Sequence, residues 1–255
     1  MNGVRAKKHL GQHFLKEEDI ARRIAQSLTG HGGYKHVVEV GPGTGALTKH
    51  VLAIPDLHLT CYEVDGESVE YLARTYPQLT VMQADFLRMH PDTISAGPLA
   101  VIGNFPYNIS TEIVFKILEH RDHIPEMVGM FQKEVADRLC AGPGSRTYGI
   151  TSVLARAWYD LEHLFNVEPD AFIPPPKVRS AVIRMRRNTR QQLPCDEALF
   201  NRVVRTAFNQ RRKTLHNALK SLPELKHGVP AAYAGKRAEQ LDVVDFLAIV
   251  EACSP

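Results

Sequence analysis

The chain lacks an apolar run long enough to cross a bilayer, a Cys-x-x-Cys pair, an internal repeat and any low-complexity tract. Without about 20 consecutive apolar residues, a membrane-spanning helix is excluded. The four cysteines, Cys61, Cys140, Cys195 and Cys253, are scattered along 255 residues. That spacing builds neither a structural zinc site nor a disulfide framework, so no metal is expected; it fits free thiols in a reducing cytoplasm. Met1 to Leu15 is basic and polar, without the apolar stretch of a secretion signal. The lack of a repeat removes solenoids and propellers. What is present is 44% hydrophobic and 23% charged residues. That is the composition of a soluble globular protein with room for one large domain, or for one domain and a small appendage.

Net charge is only +3, but it is unevenly placed. Between Lys177 and Lys213 eleven Lys or Arg face two acids, Asp196 and Glu197, which leaves 20 basic and 26 acidic residues elsewhere. A compact basic region on an otherwise acidic chain points to a polyanionic partner, with solvated strand and helix ends as the plainer reading.

Strand-like and helical segments alternate through the first two-thirds. Val37–Val40 precedes a glycine loop, and Ala46 to Ile54 has helical spacing. Leu57–Val64, Leu79–Gln83, Leu99–Gly103 and Met127–Phe131 are further strands, and Ser110 is placed to cap a helix to about His120. Leu161–Val167 and Ala181–Arg186 read as closing strands around the stiff loop Phe172-Ile173-Pro174-Pro175-Pro176-Lys177. Alternation of this kind predicts an α/β fold with a parallel sheet. From 188 the chain turns linker-like, then helical only. We therefore expect two domains, 1–187 and 188–255.

In parallel sheets ligands sit beyond the carboxyl ends of the strands. Gly41, Glu63, Asp85 and Asn104 fall at four such ends. The loop Gly41-Pro42-Gly43-Thr44-Gly45 is one residue short of the dinucleotide pattern and lacks the Lys of a phosphate loop. Glu63 is placed to accept from both hydroxyls of a ribose, or is a solvent-exposed strand end; Asp85 is placed to accept from an adenine amine, or is a helix cap or turn residue. An acid at this third strand favours S-adenosylmethionine. Asn104-Phe105-Pro106-Tyr107 ends the fourth strand. It offers an amide, backbone carbonyls and an aromatic ring in one stiff loop, which suits a planar base carrying an exocyclic amine. The same four residues also make an ordinary strand-to-helix turn. Phe172 is a candidate for the base's opposite face, or a core aromatic under its loop.

The chain resembles the bacterial small-subunit ribosomal RNA adenine dimethyltransferases. The resemblance rests on Lys8-His9-Leu10-Gly11-Gln12-His13-Phe14-Leu15, Glu39 to Gly45, Gly103 to Ser110, Gln132-Lys133-Glu134-Val135, Phe172 to Val178 and Ala207 to Leu215. It implies a Rossmann-like S-adenosylmethionine-dependent methyltransferase sheet with a small all-helical C-terminal domain that binds RNA. It implies dimethylation of the N6 amine of two adjacent adenosines in the 3′-terminal hairpin of small-subunit rRNA, within a nearly assembled subunit, by a monomeric enzyme. By position, cofactor contacts would fall on His13, Leu15, Gly41, Gly43, Gly45, Glu63, Asp85 and Asn104. Catalysis would fall on Asn104, Phe105, Pro106 and Tyr107. Position 13 is usually Asn in such relatives and Phe105 usually Leu. The RNA phosphates would meet Arg184, Arg186, Arg187, Arg205, Arg211, Arg212 and Lys213. An RNA-binding assembly factor without activity, and a methylase of a different amine, are the competing readings.

Overall fold

A computed structural model describes residues 4–225 and 228–253; the outermost ends of the two expected domains, 1–3 and 254–255, lie outside the described residues. The chain forms two compact units. The first contains the chain to Ala136 and Leu161–Arg187, the second Asp137–Asp160 and the chain from Asn188.

The first unit holds a two-stranded ribbon and a seven-stranded sheet. The ribbon pairs β1 (Phe14–Leu15) with β8 (Phe172–Ile173), antiparallel. The sheet takes β2 (His36–Val40), β3 (His58–Glu63), β4 (Thr80–Gln83), β5 (Leu99–Asn104), β6 (Glu126–Gln132), β7 (Tyr159–Val167) and β9 (Ser180–Arg187). Its order is β4-β3-β2-β5-β6-β9-β7. The strands from β4 to β6 are mutually parallel, whereas β9 runs antiparallel to β6. The parallel sheet expected from alternation runs from β4 to β6, and the closing strand β9 is antiparallel. Val37, Val38, Leu99, Ala100, Val101, Ile102, Met127 and Val128 are all fully buried, as the continuous apolar runs of central parallel strands require. Helices α1 (Glu18–Gln26), α2 (Thr48–Leu52), α3 (Gly66–Thr75) and α4 (Ser110–Glu119) connect the strands. Asp65 caps α3 by accepting from Glu67 N. Ser110 is not the cap expected: it is the first helical residue, and its hydroxyl donates to Tyr107 O at 3.2 Å.

The chain runs outward from β2 to β3 and β4, then returns to place β5 on the other side of β2. The carboxyl ends of β2 and β5 therefore flank the point where strand order reverses, where open α/β sheets bind ligands. The glycine loop follows one and Asn104 ends the other.

The second unit is helical. It contains α6 (Ile150–Arg156), α7 (Glu197–Asn209), α8 (Leu215–Ala218), α9 (Ala231–Ala234) and α10 (Val243–Glu251), while α5 (Lys133–Cys140) carries the chain into it. Phe200, Val203, Val204, Phe246 and Ile249 form its buried centre. The boundary expected after Arg187 is one of three crossings. Residues 137–160, read with the sheet domain, group with the later helices: Arg190 Nη1 donates to Ala157 O at 2.5 Å, and Asn188 N to Trp158 O at 2.9 Å. The other two crossings fall inside α5 and at the start of β7, where no loop composition marks them.

Candidate active site

A cleft enclosing about 740 Å³, open to solvent at its mouth, lies at the reversal point of the sheet. Three segments line it, the consecutive run Leu10 to Leu15, Gly41 to Thr44, and Asn104 to Tyr107, together with Ile24, Glu39, Ala46, Leu47, Glu63 and Val64.

The glycine loop is held by short backbone bonds, Gly41 N to Tyr62 O and Gly45 N to Pro42 O, each 2.9 Å. Gly43 has φ +56, and a Cβ there would lie 2.8 Å from the Phe14 ring. Left-handed backbone and close approach together demand glycine. Glu63 is buried; its Oε2 accepts from Gly43 N at 3.1 Å and its Oε1 from Asp65 N at 2.9 Å. Burial pushes its carboxyl up, against those backbone bonds. The acid thus ties the end of β3 to the glycine loop and stands at the cleft wall. Glu39, whose side chain the sequence reading left without a role, also lines the cleft. It is wholly buried, accepts from Thr48 Oγ1 at 2.7 Å and from Cys61 Sγ at 3.6 Å, and burial raises its pKa to about 7.

The run Leu10–Leu15 is fastened at both ends. Lys7 pairs with Asp65, and Gln12 Nε2 donates to Asp65 Oδ2 at 3.3 Å. At the far end β1 pairs with β8, Leu15 opposite Phe172.

In the Asn104–Tyr107 loop the amide orientation is fixed. Asn104 Nδ2 donates to His13 O at 2.9 Å, so the oxygen is the free end of the side chain. Pro106 O accepts from Ile109 N at 3.2 Å. No donor among the described residues reaches Phe105 O. Two acceptors in the loop, Asn104 Oδ1 and Phe105 O, are thus without a protein donor among the described residues. The Phe105 ring turns away into the sheet, 1% exposed, edge-on to Phe131 with centroids 5.1 Å apart. Tyr107 is anchored at its hydroxyl, 2.6 Å from Ser180 Oγ, and burial raises its pKa.

These observations define a cleft at the end of β2 and β5, with an acid on β3 and an amide-and-carbonyl loop. The family model for ribosomal RNA adenine dimethylase matches residues 3–252. The chain belongs to that family. A ribosomal RNA small subunit methyltransferase A of Cytophaga hutchinsonii is 54% identical over 248 residues, covering 96% of each chain. One from Flavobacterium johnsoniae is 52% identical, covering 98% of this chain and 97% of its own. Among solved structures, the dimethyladenosine transferase of Plasmodium falciparum superposes with a TM-score of 0.79 at 24% identity, covering 93% of this chain and 96% of that one. The 23S rRNA methyltransferase ErmE superposes at 0.70 with 26% identity, covering 93% and 99%.

Of the positions expected to meet a cofactor in this dimethylase, His13, Leu15, Gly41, Gly43, Glu63 and Asn104 line the cleft. Gly45 and Asp85 do not. Gly45 faces α3, where an added Cβ would lie 2.9 Å from Tyr76 and 3.1 Å from Leu72; its role is close helix packing. Asp85 caps the turn at 86–88, accepting from Leu87 N at 2.9 Å. Phe172 is also placed elsewhere. It is 2% exposed, within the core shared by Leu15, Ile24 and Val182, whereas its neighbour Ile173 is 52% exposed. Alternation along a strand sends adjacent side chains to opposite faces, and Leu15 opposite Phe172 selects the core face.

The basic candidates divide between the units. In the sheet unit, Arg184 donates to Glu162 Oε2 at 2.6 Å and to Ser27 O at 3.0 Å, and Arg187 lies 3.6 Å from Asp122 with 10% of its side chain exposed. Both are committed to the fold rather than to a surface partner. Arg186 is half-buried. In the helical unit Arg205, Arg212 and Lys213 are exposed, while Arg211 donates to Ser145 O at 3.2 Å and sits 3.5 Å from Glu239. No helix among the described residues is long and apolar enough to cross a membrane.

Proposed function

We propose that this dimethylase transfers methyl groups from S-adenosylmethionine to the N6 amine of two adjacent adenosines in the 3′-terminal hairpin of small-subunit rRNA. The observation that carries the reading is the pair of acceptors without a protein donor, Asn104 Oδ1 and Phe105 O, beside the cleft at the reversal point of the sheet. Relatives about half identical over nearly the whole chain bear a small-subunit methyltransferase name, which favours that RNA over the 23S rRNA of ErmE.

The cleft suits a nucleoside-bearing cofactor. Gly41 and Gly43 line it with bare backbone, Glu63 presents a carboxylate edge to ribose hydroxyls, and His13 and Leu15 border it as well. When bound, S-adenosylmethionine supplies an electrophilic methyl group. The adenine amine is a weak nucleophile because its lone pair is shared with the ring. In the first transfer, hydrogen bonds from its two N–H groups to Asn104 Oδ1 and Phe105 O draw it toward tetrahedral geometry; in the second, the one remaining N–H keeps one of these bonds. They also stabilise the positive charge that grows on nitrogen, so positioning and fixed acceptors supply the catalysis. The proton leaves to water afterwards, and no strong base is required. Tyr107 stacks on the base, an interaction worth about 1–3 kcal/mol in single-stranded nucleic acid complexes. The base reaches this loop only out of its stack, which favours a hairpin loop over duplex. Arg205, Arg212 and Lys213 grip phosphates. The enzyme acts as a monomer, in the cytoplasm, on a nearly assembled subunit.

Incubation of undermethylated small subunits with methyl-labelled S-adenosylmethionine, followed by mass spectrometry of the rRNA, tests the reading. Label in N6,N6-dimethyladenosine at two neighbouring positions is expected. Label in large-subunit rRNA alone, or in another base, would overturn it. Asn104→Ala separates this from a binding-only factor: rRNA binding persists while kcat falls by about 10²–10³.

A further inference from the structure

We propose that His13 is a positioning residue for the target base, holding Asn104 and Tyr107 as one rigid clamp. The inference rests on the N6-adenine reading above and deepens it. His13 reaches three partners. Its carbonyl accepts from Asn104 Nδ2 at 2.9 Å. Its Nδ1 lies 2.8 Å from Pro174 O. Its ring lies on Tyr107, centroids 5.5 Å apart and planes 30° apart.

Each contact fixes a different freedom. A backbone carbonyl only accepts, so the His13–Pro174 bond requires the proton on Nδ1 and locks the imidazole plane. The Tyr107 hydroxyl is tied to Ser180 Oγ at 2.6 Å, but a bond at the tip leaves the phenol ring free to turn about its own long axis. The imidazole on its face removes that rotation. The His13 carbonyl takes the donor end of the Asn104 amide and so turns the oxygen outward; a flipped amide would offer the incoming amine a donor in place of an acceptor. Both specificity elements, the acceptor and the stacking plane, are thus set from one residue. That residue sits between the Gln12–Asp65 bond and the β1–β8 pairing.

By resemblance, position 13 would be a cofactor contact alone. The geometry assigns its side chain to the base side: the ring is spent on Tyr107 and Pro174. The two roles separate in kinetics. Wild type, His13→Ala and His13→Phe are compared for turnover on undermethylated small subunits at saturating S-adenosylmethionine, with cofactor affinity measured by calorimetry and folding by thermal melting. Loss of an aromatic pair predicts that H13A turns over about 3–10-fold more slowly, with cofactor Kd within about twofold. H13F keeps the ring face and recovers turnover to within about threefold of wild type. Equal turnover of H13A and wild type would overturn the proposal. So would a defect that saturating cofactor abolishes, which makes His13 a cofactor contact only, or a faster H13A, which makes the ring an obstruction. Failure of the wild-type enzyme to label N6 of adenosine would overturn the functional reading and this proposal with it.

Discussion

Gly129 lies on β6, outside every motif, yet the structure makes it the residue on which the height of the Asn104–Tyr107 loop depends. A Cβ at that position would sit 2.2 Å from Phe105 Cε2, 2.8 Å from Cδ2, and 2.9 Å from the Phe131 ring. Ordinary carbon contacts fall at about 3.5–4.0 Å, so the Phe105 ring must retreat by more than about 1 Å. It has nowhere to go. The ring is 1% exposed and meets Phe131 edge-on. Rigid aromatic rings do not bend, so the displacement passes to the backbone of Phe105, whose carbonyl is one of the two acceptors. Misplacement by about 1 Å costs on the order of 10²-fold in rate, and overpacking a core costs about 1–3 kcal/mol in stability.

The expected outcome for Gly129→Ala is a kcat reduced by about two orders of magnitude with rRNA binding retained, and a melting temperature lower by about 2–12 °C, at about 2–4 °C per kcal/mol for chains of this size. Phe105→Leu alone is mild, because the acceptor belongs to the backbone and the shorter side chain still fills most of the slot. The double variant is decisive. A leucine side chain in that slot lacks the ring edge that the added methyl group strikes, so the pair recovers most of the activity that Gly129→Ala loses. A methyl-transfer assay with parallel thermal melts completes the double-mutant cycle. Additive losses in both readouts, or a Gly129→Ala enzyme within twofold of wild type, would refute the reasoning.

Glu39→Gln removes a buried carboxyl whose pKa is raised by burial from 4.5 to about 7. The folded protein keeps a proton that the unfolded chain releases, so wild-type stability falls as pH rises from about 4.5 to about 7, by at most about 3 kcal/mol, and levels above; melting curves of Glu39→Gln lack that slope. Phe172→Ala, emptying a core site, lowers stability by about 3–5 kcal/mol in denaturant titrations; a normally stable variant with a selective loss of turnover would return the ring to the base. Arg212→Ala and Lys213→Ala each reduce the slope of log binding constant against log salt by about 0.7–0.9 for each phosphate no longer neutralised, whereas Arg184→Ala, whose guanidinium is spent on Glu162 and Ser27, leaves the slope unchanged and lowers the melting temperature.

The sequence reveals strand ends better than side-chain directions. Gly41, Glu63 and Asn104 are marked by apolar runs that stop at a glycine or a polar residue, and parallel topology gathers such ends at one rim. Asp85 carries the same mark, but its strand lies two places from β2 at the sheet edge and its carboxylate caps the next turn. Phe172 and Ile173 differ only in which one sits opposite Leu15, and a shift of one residue exchanges them. Register is a tertiary property, and nothing local in Phe-Ile-Pro-Pro-Pro encodes it. Basic residues mislead for a similar reason. A charge count treats Arg184 and Arg212 alike, although one is paired within the sheet unit and the other stands exposed in the helical unit.

Least legible is how the clamp is supported. Asn104 and Tyr107 are adjacent to the strand that delivers them, so their presence can be read directly. Their orientation comes from residues distant in sequence: His13 on the N-terminal strap, Pro174 and Ser180 around the proline loop, Gly129 on the neighbouring strand. A glycine under an aromatic ring leaves no composition signal, and a histidine carbonyl has no side-chain identity at all. This division follows from the chemistry. Two neutral acceptors aimed at an amine have no charge to search out their target, so geometry must supply what attraction does not. The support has to be stiff, and stiffness on this scale requires contacts from several elements at once. The motif names the atoms proposed to meet the base; the packing behind it decides which way they face.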